Sequence, residues 1–216
     1  MERLILNVDA LYLLEKEGFN VLKSRLAKDE DDAVRIASEI GFPVSMKVSS
    51  SHVIHKTDID GVRYPINNPS DAKEAFRELE RNFKTAYPGK DLDGIMVQMP
   101  GRGIETIVGV HRDSQFGPVI MFGLGGIFVE AIKDVSFRII PINKKDARDM
   151  IEELSAYRIL TSKRQRDMDI NLIEDFLVEV SQFITRHSEV KEMDMNPVFV
   201  SSAGLYICDA RITQEF

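Results

Sequence analysis

Near the end of the chain, oxygen-bearing side chains alternate with apolar ones: Glu192, Asp194 and Asn196 share one side of a period of two, while Met193 and Met195 take the other. Asp209 and Arg211 share a face in the segment that follows. A hairpin with Ser201–Gly204 as its loop pairs Val200 with Leu205, and so sets Asn196 opposite Asp209 and Asp194 opposite Arg211. Directly opposed side chains have Cβ atoms about 4.5–5.5 Å apart. Two oxygen ligands at that separation can share one Mg²⁺, which keeps its other positions for water and phosphate. The plainer alternative is a solvated hairpin face.

A second group of residues follows the strand-like run that carries Lys47. A lysine on a strand aimed at a cleft can neutralise a phosphate as a point charge. After it comes Ser49-Ser50-Ser51-His52-Val53-Ile54-His55-Lys56-Thr57-Asp58-Ile59-Asp60-Gly61. His52, His55 and Asp58 are spaced by threes, a pattern that can ligate zinc, although the stretch has no helical periodicity. A neutral imidazole is also a nucleophile able to accept a phosphoryl group. The third group is Gly123-Leu124-Gly125-Gly126, where close backbone approach would let N–H groups face an anion, or which forms a plain turn. Glu130, Asp134 and Arg138 follow, placed either to steer metal and phosphate or to serve as surface charges. The chain has no Gly-x-Gly-x-x-Gly fingerprint, no Walker A loop and no Gly-x-Ser-x-Gly elbow.

The elements that must position these groups are legible as periodicities. Asp9 can cap a short helix ending at Gly18, and a strand-like Asn20–Lys23 follows. Ala33, Ile36, Ala37 and Ile40 make a helical stripe closed by Gly41, and Val44–Val48 reads as a strand. The longest helix follows Asn68-Pro69-Ser70, with Ala72, Ala75, Phe76, Leu79 and Phe83 on one face. Gly94–Met99 and Ile104–Val110 read as strands joined by a turn at 100–103, and Val119–Phe122 and Phe137–Ile142 add two more. Helices bearing Ala147, Met150, Ile151 and Leu154, then Ile173, Phe176, Leu177, Val180 and Ile184, precede the hairpin. The polar stretch Thr161–Asn171 reads as a loop. The class is α+β in two lobes, residues 1–93 and 94–216, with the boundary near Asp91–Gly94.

Composition narrows the partners. The formal net charge of −7 over 216 residues lacks the broad basic field that a nucleic-acid backbone requires, although a local basic pocket for a phosphorylated small molecule is compatible with it. One cysteine, Cys208, excludes an internal disulfide framework and any Cys-rich zinc module. No run of 18 apolar residues occurs, so a membrane span is not expected and the cytoplasm is the expected compartment.

Five long strings, in order along nearly the whole chain, resemble one family. They are Gly41-Phe42-Pro43-Val44 through Lys47; Ile54-His55-Lys56-Thr57-Asp58 with Gly61-Val62; Gly109-Val110-His111-Arg112-Asp113 to Gln115-Phe116-Gly117-Pro118-Val119; Met121 to Glu130 through the glycines; and Asp194-Met195-Asn196-Pro197 with Asp209-Ala210-Arg211-Ile212. The family is the ATP-grasp subunit of ADP-forming acetyl-CoA synthetases. The resemblance implies an ATP-grasp fold, two α+β lobes holding a nucleotide, and the reaction acetyl-CoA + ADP + phosphate to acetate + ATP + CoA. It further implies that His55 relays a phosphoryl group from a phosphohistidine on a CoA-binding α subunit to ADP. By the same resemblance Lys47 binds phosphate, Glu105 lies near the ribose, Gln98 belongs to the hinge that meets adenine, and Asn196 and Asp209 hold magnesium. Gly125 and Gly126 are expected beside the phosphates, and Arg138 is expected with His55 among the catalytic residues. The expected cofactors are ATP or ADP with Mg²⁺, and the expected assembly is a hetero-oligomer. A non-catalytic ATP-binding module, a metal-dependent hydrolase and an ATP-grasp ligase of another specificity are the competing readings.

Overall fold

Side-chain caps fix where the main helices begin. In the computed structural model, which describes residues 2–53, 55–125, 134–155, 157 and 169–216, the Asp29 carboxylate accepts the Asp32 N–H at 2.8 Å and opens α2 (Glu30–Ile40). The Asn68 side chain does the same for Asp71 at 3.0 Å, ahead of Pro69 in α3 (Pro69–Ala86). A reciprocal capping box between Asn143 and Asp146 opens α4 (Lys144–Glu152), and Asp169 caps α5 (Ile170–Arg186). Each buries the stripe its period of 3.6 dictates. The first helix, α1 (Asn7–Lys16), starts without a side-chain cap, and Asp9 sits in its first turn rather than before it, correcting the expected start.

The chain forms two compact units. The smaller, residues 22–100, is a four-stranded sheet in the order β2 (Ser24–Ala27), β5 (Gly94–Gln98), β3 (Val44–Ser49), β4 (Val62–Ile66), with α2 and α3 on one face. Val44, Met46 and Val48 of β3 point into that core with Ile95, Val97, Leu79 and Phe83. By period-two alternation, Ser45, Lys47 and Ser49 take the opposite face.

The larger unit joins residues 1–21 to residues 101–216. Its seven-stranded sheet runs β1 (Glu2–Leu6), β11 (Ala210–Glu215), β9 (Val190–Ser201), β6 (Ile104–Asp113), β7 (Gly117–Leu124), β8 (Val135–Ile139), with β10 (Gly204–Ile207) also paired to β9. All named ladders are antiparallel. Phe19 packs edge-on against Phe176 and Phe183 of α5, with ring centroids 5.8 and 5.7 Å apart.

The expected boundary near 91–94 is therefore corrected at both ends. Residues 94–98 are an inner strand of the small sheet, hydrogen-bonded on both sides, and cannot belong to the larger unit. The first strand pairs with the last, Glu2 opposite Glu215 through Leu6 opposite Arg211, which draws residues 1–21 out of the small unit. For the same reason β5 and β6 are not a hairpin: the turn-like 100–103 stretch joins two sheets rather than two paired strands. The strand expected at Asn20–Lys23 is only a bridge from Val21 to Ile207, and β2 begins at Ser24. Among the described residues, no helix is long and apolar enough to cross a membrane.

Candidate functional site

In the larger unit, β9 and its return strands hold the register that the period of two predicts. Leu205 pairs with Val200, and Arg211 with Asp194. Between them the Asn196 N–H donates to the Asp209 carbonyl at 3.1 Å, so the two residues face each other where the return path breaks between β10 and β11. The loop is tighter than expected, because Ser201 and Gly204 already pair. Asn196 is exposed and Asp209 half-buried, with one Asp209 carboxylate oxygen taking the Ala210 N–H at 3.0 Å. Two opposed oxygen donors, one amide and one carboxylate, suit a hard divalent cation that completes its shell with water and phosphate. The neighbouring Asp194 carboxyl is raised above the ordinary carboxylate range, first by desolvation and then by the negative charge of Asp209, with Arg211 opposing. Of these causes only the Asp209 charge would also attract a cation, since desolvation penalises either sign.

Glu105 and Gly125 meet at the end of the β6–β7 ladder. The Gly125 N–H donates to the Glu105 carbonyl at 2.7 Å, and a Cβ added at Gly125 would lie 3.0 Å from the Glu105 Cβ. A side chain at 125 would fit only if Glu105 gave way by a few tenths of an ångström. The Glu105 side chain is exposed. Gly126, Glu130 and the basic run Ser162-Lys163-Arg164-Gln165-Arg166 lie outside the described residues, as does most of the expected loop at 161–171. Arg138, on β8, forks onto the Glu153 carboxylate, with one of the two bonds at 2.9 Å, and this pairing raises its pKa further. Its guanidinium thus has a protein partner, and its placement supports a structural ion pair at least as directly as a phosphate contact.

In the smaller unit, Lys47 Nζ donates to Gln98 Oε1 at 2.9 Å. The pair joins β3 to β5, where Lys47 sits opposite Met96 and Ser45 opposite Gln98. His55 lies at the start of the 3-10 turn Lys56–Ile59 with its imidazole exposed. The turn is tied by Asp58 N–H to the His55 carbonyl at 3.3 Å and by Gly61 N–H to the Lys56 carbonyl at 2.7 Å. A Cβ at Gly61 would stand 2.7 Å from that same carbonyl oxygen. Arg63 then fastens the turn to α3, bonding Asp60 at 2.8 Å and Glu78 at 2.8 Å. Zinc binding by His52, His55 and Asp58 finds no support, since among the described residues no group of three or more His, Cys, Asp or Glu is arranged to hold a metal.

One feature escaped the sequence patterns. On the Asp194 and Arg211 side of the large sheet lies a recess of about 410 Å³, lined among others by Gly109, His111, Met121, Phe137, Glu192 and Thr213. His111 Nδ1 is 3.2 Å from Glu192 Oε1 at its rim. Its lining comes from β6, β7, β8, β9 and β11, so no single stretch of sequence displays it.

Comparison with known proteins gives the same outline. Residues 2–213 match the ATP-grasp domain family. The chain is 42% identical over 212 residues to the acetate–CoA ligase [ADP-forming] I subunit beta of Pyrococcus furiosus, covering 97% of this chain and 91% of that one. It is 43% identical to acetate–CoA ligase [ADP-forming] I of Archaeoglobus fulgidus, of which the match spans only 30%. A structure of acetyl-coenzyme A synthetase 1 of Ca. Korarchaeum cryptofilum with coenzyme A and Ca-AMPCP superposes with a TM-score of 0.93 at 41% identity, covering 99% of this chain and 94% of the other. A second structure of that protein, with coenzyme A and Mg-AMPPCP, has its phosphohistidine segment pointing towards the nucleotide binding site; its TM-score is 0.83 at 37% identity, over 98% and 93% of the two chains. The chain belongs to the ATP-grasp family, among the β subunits of ADP-forming acetate–CoA ligases.

Proposed function

We propose that this chain is the nucleotide-binding subunit of an ADP-forming acyl-CoA synthetase that converts acetyl-CoA, ADP and phosphate to acetate, ATP and CoA. The observation that carries the reading is the match, nearly end to end, with a chain named as that β subunit. The related structures with a nucleotide analogue and a divalent cation support ATP or ADP with Mg²⁺ as its ligands. A CoA-binding α subunit is the partner, consistent with a relative whose longer chain carries this region as 30% of its length. The cytoplasm is the compartment in which we place it.

The chemistry assigned to this chain's own residues is phosphoryl relay. A ring nitrogen of neutral His55 attacks the phosphorus of the partner's phosphohistidine, forming one N–P bond as the other breaks. A terminal oxygen of ADP then attacks the same phosphorus, the His55 N–P bond breaks, and ATP and neutral imidazole result. Lys47 offsets phosphate charge; the Gly125 N–H is already taken by the Glu105 carbonyl, so Gly125 offers an anion no backbone donor of its own. Asn196 and Asp209 would hold Mg²⁺, which supplies charge neutralisation and alignment of the phosphates. Most of the acceleration is positioning and electrostatics. Glu105 is assigned to the ribose.

His55→Ala is the test. In the assembled enzyme ATP formation should fall to background while ADP binding by the chain stays within about twofold of the parent. Full activity in the variant would refute the relay.

A further inference from the structure

We propose that Gln98 acts as a positioning residue for Lys47 rather than as a reader of the nucleotide base. The proposal rests on the reading of Lys47 as a phosphate ligand and adds what holds that ligand in place. Lys47 Nζ donates to Gln98 Oε1 at 2.9 Å across 51 residues of sequence. The bond is set by two adjacent central strands: Ser45 pairs with Gln98, Lys47 pairs with Met96, and the Ser45 hydroxyl donates to the Gln98 carbonyl at 3.3 Å. Gln98 is wholly buried, at 0% exposure, whereas Lys47 is only half-buried. A residue that reads a base must present its polar edge to the ligand; here the amide oxygen faces the ammonium.

The residue type suits this task. Lysine carries its charge on a flexible four-carbon stem, and ordering that stem when phosphate arrives costs affinity. A neutral amide oxygen orders the ammonium beforehand without cancelling its charge, as a carboxylate would.

A double-mutant cycle on the full chain tests this, with ADP titrated up to millimolar concentration in the presence of Mg²⁺ and thermal unfolding confirming that each variant folds. Gln98→Met should weaken ADP binding roughly five- to tenfold. In a Lys47→Met background the same change should add less than twofold, because there is no ammonium left to position. Should Gln98→Met fail to fold, Gln98→Asn, whose amide falls short of the ammonium, takes its place in the cycle. Equal losses in the two backgrounds, or no loss from changing Gln98 at all, would overturn the proposal. Unchanged ADP affinity in Lys47→Met alone would overturn it from the other side, by removing Lys47 as a ligand while leaving the effect of Gln98 separately measured.

Discussion

Asn196 and Asp209 face each other through a backbone bond at the break between two strands, and the charge of Asp209 reaches Asp194 two residues from Asn196. Replacing Asp209 by Asn keeps the shape but removes one negative charge. The Mg²⁺ concentration that half-saturates nucleotide binding should then rise about tenfold or more, read by titration of the metal at fixed ADP. In the same variant the Asp194 carboxyl should titrate at lower pH, because one of the two causes that raise it has been removed; carboxyl-carbon NMR resolves this. This face was legible in the sequence because a period of two and a short loop fix which residues oppose. The contact between Lys47 and Gln98 was not legible as geometry, since it depends on the pairing of β3 with β5, which no local pattern specifies.

At the scale of elements, the turn carrying His55 is held by backbone bonds and by Arg63 rather than by a core of its own. Gly61→Ala would drive a methyl group to 2.7 Å from the Lys56 carbonyl oxygen and displace the turn. Phosphoryl transfer should fall by about tenfold or more while ADP affinity changes little, a split seen by comparing turnover with direct binding. A second joint lies where α1 and α5 end. His187 Nδ1 is 2.9 Å from Glu189 and Nε2 3.2 Å from Glu17, while its ring packs tilted by 34° against Phe183 at 4.4 Å between centroids. Burial alone would lower the pKa of this imidazole, but the two carboxylates outweigh it and the net shift is upward from 6.5. The protonated form is therefore favoured by folding. Its contribution is complete below about 6.5 and is lost as pH rises through the raised value. Denaturant unfolding should show a decline across that window of less than about 1 kcal/mol, absent in His187→Asn. The helical stripes were legible because caps and periodicity agree. The first strand was not, because five residues before Asn7 carry too little alternation to stand out.

At the scale of the molecule, each unit has its own sheet and helices, and the smaller is an excursion from the larger. Leu79 is fully buried in the small core among Ile36, Met46, Val97 and their neighbours. Leu79→Ala should cost about 2–5 kcal/mol, measured by urea unfolding of the whole chain. Two lobes were legible as a change of character along the chain, but their border was not. Strand partners decide it, and β1 finds its partner at the far end of the sequence.

That long-range pairing bears on the order of events at the ribosome. The first strand leaves the exit tunnel long before residues 211–215 exist to receive it, whereas residues 22–100 can complete both faces of their small core as soon as they emerge. A nascent chain halted after the middle of the sequence would thus present a finished small lobe while the first strand still waits unpaired, and the larger sheet closes only when β11 arrives.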